Sequence, residues 1–109
     1  MPLPQPTEKS IERMCINVYE QFGCEVLKFS QPRKTMQSFG IPDLKVYNVR
    51  HGRTWWHEVK RPKGKLSAHQ LRVRELAVLC GEAHYTGGVN TAIEALNSEC
   101  GMRLETLPE

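Results

Sequence analysis

The chain has 109 residues, enough for one modest hydrophobic core and too few for two. Apolar residues make up 39% and charged residues 25%, an ordinary balance for a globular domain, and no apolar run is long enough to cross a bilayer. Net charge is only +3, yet the stretch from Lys28 to Arg74 holds twelve Lys or Arg against two acids, a local charge of +10. So basic a middle suits a polyanionic partner, nucleic acid being the common one, although a merely solvated basic face reads the same way.

Residues 1–6 are Pro-rich and read as a flexible lead-in, without the basic and apolar regions of a signal peptide. Residues 7–109 then form a single domain. Over 7–22, Ile11, Met14, Cys15, Val18, Tyr19 and Phe22 recur at helical spacing, with Thr7 as N-cap and Gly23 as stop. Residues 24–29 read as a short strand and 30–41 as a loop containing Arg33 and Lys34. Strands over 42–49 and 53–60, joined by a turn at His51-Gly52, give an antiparallel hairpin. A basic loop over 61–66 carries Arg61, Lys63 and Lys65. Ser67 opens a helix over 67–80, on which Arg72 lies. A strand over 83–86, a helix over 89–99 and a possible last strand over 102–107 complete the chain. The order α-β-β-β-α-β-α predicts an α/β fold with a central mixed sheet flanked by helices.

Cys15, Cys24, Cys80 and Cys100 form no CxxC pair and, with the four histidines, match no zinc spacing. Free thiols in a reducing compartment follow, hence a cytoplasmic location.

The two acids of the basic window are the candidate chemistry. Side chains alternate along 53–60, so Trp56, Glu58 and Lys60 share a face. Asp43 starts the partner strand, and an antiparallel hairpin brings that start to the finish of 53–60. Two carboxylates beside a lysine suit phosphodiester cleavage: Mg²⁺ or Mn²⁺ takes hard oxygen ligands, and a lysine can orient water or stabilise charge. The bland alternative is a surface ion pair of Glu58 with Lys60 and a turn aspartate.

Gly40-Ile41-Pro42-Asp43-Leu44, then His57-Glu58-Val59-Lys60-Arg61-Pro62, then Gly64-Lys65-Leu66-Ser67-Ala68-His69-Gln70 resembles the PD-(D/E)xK nucleases, and within them the VRR-NUC branch in its stand-alone, phage-like form. The resemblance runs from about Glu8 to Leu96. It implies a restriction-endonuclease-like core, Asp43, Glu58 and the Val59 carbonyl as metal ligands, Lys60 as the catalytic lysine, and Gln70 facing the site. Ser67 and Gln70 equally match an S-x-x-Q capping box. The family also carries a glutamate on its first helix. Glu8 lies closest to the centre of the apolar face and fits the branch pattern, as a catalytic residue and possible ligand; Glu12 is second. The Trp55-Trp56-His57 lead and the long 30–41 loop depart from the pattern. Trp56 reads as a hydrophobic cover over the sheet, with base stacking as the alternative.

The expected activity is a structure-specific DNA endonuclease that needs Mg²⁺ or Mn²⁺ and no small-molecule cofactor. It would engage nucleic acid through Arg33, Lys34, Arg61, Lys63, Lys65 and Arg72, in a bacterial or phage-infected cell. A chain this short engages a symmetric branched junction most simply as a homodimer, which favours Holliday-junction resolution. A flap or single-strand nuclease, a non-cutting nucleic-acid-binding module and a binder of acidic proteins stay open. Ile93 and Leu96 suit either the core or a dimer surface.

Overall fold

A computed structural model describes residues 6–30 and 40–108. The elements are α1 (Glu8–Gln21), β1 (Glu25–Lys28), β2 (Leu44–Asn48), β3 (Arg53–Val59), α2 (Ala68–Leu79), β4 (His84–Gly87) and α3 (Val89–Cys100). This is the expected order, with ends differing by a residue or two. Most of the 30–41 loop, including Arg33 and Lys34, and most of the 1–6 lead-in lie outside the described residues. No helix among the described residues is long and apolar enough to cross a membrane.

The four strands run β1-β2-β3-β4 across one mixed sheet. β1, β2 and β3 pair antiparallel, because a short connection joins β2 to β3. That connection is a four-residue turn: the Gly52 N–H donates to the Val49 carbonyl at 3.1 Å, and Gly52 takes a φ of +63°. β3 and β4 pair parallel, and α2 makes the crossover between them.

Alternation divides the sheet into an inner and an outer face. Leu44, Val46, Trp55, His57 and Val59 point inward and are buried. α1 and α3 cover them with Ile11, Cys15, Tyr19, Ala92, Ala95 and Leu96. Ile93 and Leu96, which suited either core or interface, are both buried. All four cysteines are free thiols, three buried and Cys80 exposed.

Two polar side chains lie inside this layer. Asn48 accepts from the His51 N–H at 3.1 Å and so ties the hairpin turn to the end of β2. His57 meets the Tyr19 hydroxyl at 2.6 Å and the Gly87 carbonyl at 2.9 Å, and burial pushes its pKa down to about 4.

The possible strand over 102–107 is absent. Two asparagines hold that segment instead, each pairing its amide with one peptide group. Asn97 donates to the Leu104 carbonyl at 3.0 Å and accepts its N–H at 2.8 Å. Asn90 does the same for Leu107, at 2.9 and 2.7 Å. Both asparagines lie on α3 seven residues apart, so they share a face, and the segment runs along the helix rather than joining the sheet.

α2 covers little. Only Ala77 is buried on it, while Leu71, Val78 and Leu79 are exposed. Truncating Leu44 to alanine should therefore cost about 2–5 kcal/mol. Leu79→Ala should change stability by no more than about 0.5 kcal/mol. Urea denaturation midpoints check both; equal losses would mean that α2 is packed where it is described as open.

Candidate active site

The hairpin register aligns Leu44 with His57. One further step sets Asp43 beside Glu58, past the last paired rung. The contact is reciprocal. The Asp43 N–H donates to Glu58 Oε2 at 3.2 Å, and the Val59 N–H donates to Asp43 Oδ2 at 2.8 Å. Each carboxylate is thus held by the other strand's main chain.

Both groups edge a cleft of about 380 Å³ that Glu8, Glu12, Ser30, Lys60 and Gln70 also line, together with Lys9, Lys28 and Val59. Sequence reasoning selected Asp43, Glu58, Val59, Lys60, Gln70, Glu8 and Glu12, and one cleft brings all seven together. Arg61, Lys63, Lys65 and Arg72 are exposed outside it. Lys9, Lys28 and Ser30 were missed; only the fold puts them at the rim.

Lys60 follows β3 directly and reaches Glu8, with Nζ 3.8 Å from Oε1. Its side chain is 16% exposed and that of Glu8 48%. The order of the two α1 acids differs from the helical-wheel expectation. Glu12, not Glu8, is the buried one, at 6% exposure, and it accepts from Ser30 Oγ at 2.5 Å. The wheel counted only apolar neighbours. α1 is flanked at Glu12 by the chain leaving β1, whereas Glu8 starts the helix, where fewer neighbours surround it.

Gln70 combines two tasks that had seemed to compete. Its Oε1 accepts from the Ser67 N–H at 2.8 Å, Ser67 Oγ accepts from the Gln70 N–H at 3.2 Å, and the capping box is complete. Its Nε2 is left to donate, and it donates to Glu58 Oε1. A primary amide has separate donor and acceptor ends, so bending the side chain back to the helix start still aims its N–H₂ at the cleft.

Trp56 lies on the outer face, half-buried. The Lys45 ammonium stands 4.5 Å from its ring centroid, its indole N–H donates to Glu82 at 3.3 Å, and Phe29 packs at 5.8 Å. It is held among side chains, in keeping with a cover over the sheet.

The cleft is short of positive charge. Burial and the Asp43 carboxylate push the Glu58 pKa up to about 8 against the opposing effect of Lys60. Asp43 is raised as well, chiefly by burial, although the Val59 N–H opposes the shift. The adjacent carboxylates of buried Glu58 and half-buried Asp43 suit a hard divalent cation, which would relieve their repulsion. Among the described residues no three His, Cys, Asp or Glu side chains converge as a metal cluster. Asp43 and Glu58 are the adjacent oxygen donors that the hairpin offers to such a cation.

No protein-family model matches the sequence, and no curated protein does. Solved structures do. A structure described as a VRR_NUC domain superposes with a TM-score of 0.68 at 27% identity, over 83% of this chain and 94% of that one. The chain has the VRR-NUC fold of the PD-(D/E)xK nucleases. Its helices and mixed four-stranded sheet are that restriction-endonuclease-like architecture. The fold is also shared by Hjc, a Holliday junction resolvase from Archaeoglobus fulgidus, at a TM-score of 0.52 and 22% identity. That match covers 72% of this chain and 64% of Hjc. In this chain the cleft sits where the hairpin opens, lined by side chains of α1 and α2.

A metal-free test follows from the Glu58 shift. Its folded pKa lies above the ordinary 4.5, so the folded protein keeps a proton that the unfolded chain releases. The stability this contributes is present below about pH 4.5 and is lost as pH rises towards about 8. Glu58→Gln removes that loss. In EDTA, the variant's urea midpoint should climb relative to wild type across this window. A constant difference would mean that the folded protein holds Glu58 charged.

Proposed function

We propose that the protein is a metal-dependent DNA endonuclease that hydrolyses phosphodiester bonds in branched DNA, with Holliday-junction resolution as the favoured activity. The observation that carries the reading is the reciprocal pairing of Asp43 with Glu58 at the mouth of the hairpin, with Lys60 in the same cleft. Asp43, Glu58 and the Val59 carbonyl would hold Mg²⁺ or Mn²⁺, with Glu8 or Glu12 as a further acid. Bound there, the cation supplies Lewis-acid neutralisation of phosphate charge and activation of water.

The remaining tasks belong to the chain. Lys60 places a positive charge where the attacking water and the scissile phosphate meet, and it stabilises the charge that develops. Glu8, 3.8 Å away, holds the ammonium in the cleft before substrate arrives. Gln70 fixes one Glu58 oxygen and the Asp43 N–H the other, so the carboxylate is held in a set orientation. Arg61, Lys63, Lys65 and Arg72, exposed around the cleft, draw in the phosphate backbone, with Arg33 and Lys34 contributing from the 31–39 segment.

Junction preference draws on the fold shared with Hjc and on the small size of the chain. A homodimer presents two clefts to a two-fold-symmetric junction. A soluble, nucleic-acid-associated protein of the cytoplasm fits this work.

Labelled duplex, single-strand, flap and four-way substrates should be incubated with Mg²⁺, Mn²⁺ or EDTA. Cleavage should require the metal and be strongest on the four-way substrate. Glu58→Gln should abolish it and Lys60→Ala should lower it by about 10²–10³-fold, with DNA binding retained. Undiminished activity in either variant or in EDTA overturns the nuclease reading. Preferred cutting of flaps, or a monomeric mass in sedimentation, overturns the resolvase assignment alone.

A further inference from the structure

His57 is a fully buried, polar member of an otherwise apolar row. Trp55 and Val59 flank it on β3, and Leu44 lies opposite on β2. A core imidazole is costly unless both ring nitrogens are paired. Here both are, and the donors and acceptors can be arranged in only one way. The Gly87 carbonyl can only accept, so Nε2 carries the hydrogen at 2.9 Å. Nδ1 is then bare and accepts from the Tyr19 hydroxyl at 2.6 Å. That hydroxyl in turn accepts from the Trp55 indole N–H at 3.3 Å.

The Gly87 carbonyl has a second donor. The Lys60 N–H meets it at 3.2 Å, one residue past the end of β3. After Lys60 the chain leaves the sheet through a basic loop closed by its own turn, from the Gly64 N–H to the Arg61 carbonyl. The main chain of Lys60 is therefore anchored to the sheet through Gly87. Gly87, paired with Val59 at the end of the ladder, has no side chain to fix that carbonyl further. It has a φ of +148°, and a Cβ there would stand 2.1 Å from Thr91 Oγ1. Glycine is needed for α3 to approach, and glycine is the residue whose peptide is least fixed by its own sterics.

We infer that His57 is a positioning residue for Lys60: its Nε2–H, directed by Tyr19, fixes the Gly87 carbonyl that anchors the Lys60 main chain at the cleft. The inference rests on the proposed role of Lys60. Tyr19 lies on α1, the helix that also brings Glu8 and Glu12 to the cleft, so the same hydrogen bonds set α1 against β3.

The test uses the full chain and three variants. His57→Gln keeps an N–H that can reach Gly87; His57→Leu keeps bulk and loses the donor; Tyr19→Phe leaves Nδ1 unpaired and frees the imidazole to switch tautomer. Amide hydrogen exchange at Lys60 is read against that at Val46, in the centre of β2. His57→Leu and Tyr19→Phe should speed exchange at Lys60 by about tenfold relative to Val46, the scale of one hydrogen bond, whereas His57→Gln should not. In metal-dependent cleavage, His57→Leu should lower kcat by about tenfold with KM for DNA unchanged, and His57→Gln should restore kcat to within about threefold. Exchange at Lys60 that stays at the wild-type rate in Tyr19→Phe and His57→Leu overturns the inference, as does an equal kcat loss in the glutamine and leucine variants. Should His57→Leu fail to fold, Tyr19→Phe alone decides. If the wild-type chain cleaves nothing, the nuclease reading falls, and the exchange data still decide whether His57 anchors Lys60.

Discussion

The register of the β2–β3 hairpin is the constraint on which the rest depends. With Leu44 opposite His57, the inner face buries Leu44, Val46, Trp55, His57 and Val59, and the next step sets Asp43 beside Glu58. A slip by one residue would turn the buried row to the outside and part the carboxylates. Core and site are thus specified together. The apolar row selects the register, and the register places two acids at close quarters where they are unfavourable in the absence of a cation. Burial of the row offsets that cost, so the site can hold charge that the sheet alone would reject.

Much of this was legible. Alternation along 53–60 separates Glu58 and Lys60 from Val59, helical spacing marks 7–22, and Ser67 with Gln70 marks a helix start, because each is a local signal with a fixed period or offset. Asp43 stands out as the single aspartate of a basic stretch. What could not be read depends on contacts far apart in sequence. Glu12 is buried because Ser30 arrives beside it, and a helical wheel contains no such neighbour. The segment over 102–107 alternates well enough for a strand, yet Asn90 and Asn97 satisfy its peptide groups first. Their signal, two asparagines seven apart on a helix followed by an extended tail, is visible in retrospect and too common to use alone. His57 matched no pattern in the sequence, since nothing local ties it to Tyr19, 38 residues away.

The outer face obeys different rules from the inner one. Among the described residues it is less covered than the inner face, and side chains pair laterally on it. Lys45 lies against Trp56 and within 3.8 Å of Glu82; Trp56 donates to the same glutamate. Such pairs occupy polar and aromatic groups that have no core to enter. At the sheet end beside Asp43 and Glu58, Lys60 and Gln70 line the cleft instead.

α2 shows how little is needed to place a helix when its task is local. Its apolar side chains are mostly exposed, and only Ala77 is buried. Its start, in contrast, is fixed three times over. Ser67 and Gln70 close the capping box, Gln70 donates to Glu58, and Gly40 packs so tightly that a Cβ there would lie 2.5 Å from the His69 carbonyl. Gly40 also takes a φ of +79°, so side-chain residues are disfavoured there on both counts. Fixed side-chain contacts of α2 are therefore concentrated in its first turn, where Gln70 meets the cleft. A helix held by its core-facing stripe would transmit any movement of its far end to the site. One held by its first turn ties Glu58 to the helix start alone, and the short apolar core of the chain lies where the carboxylates need it.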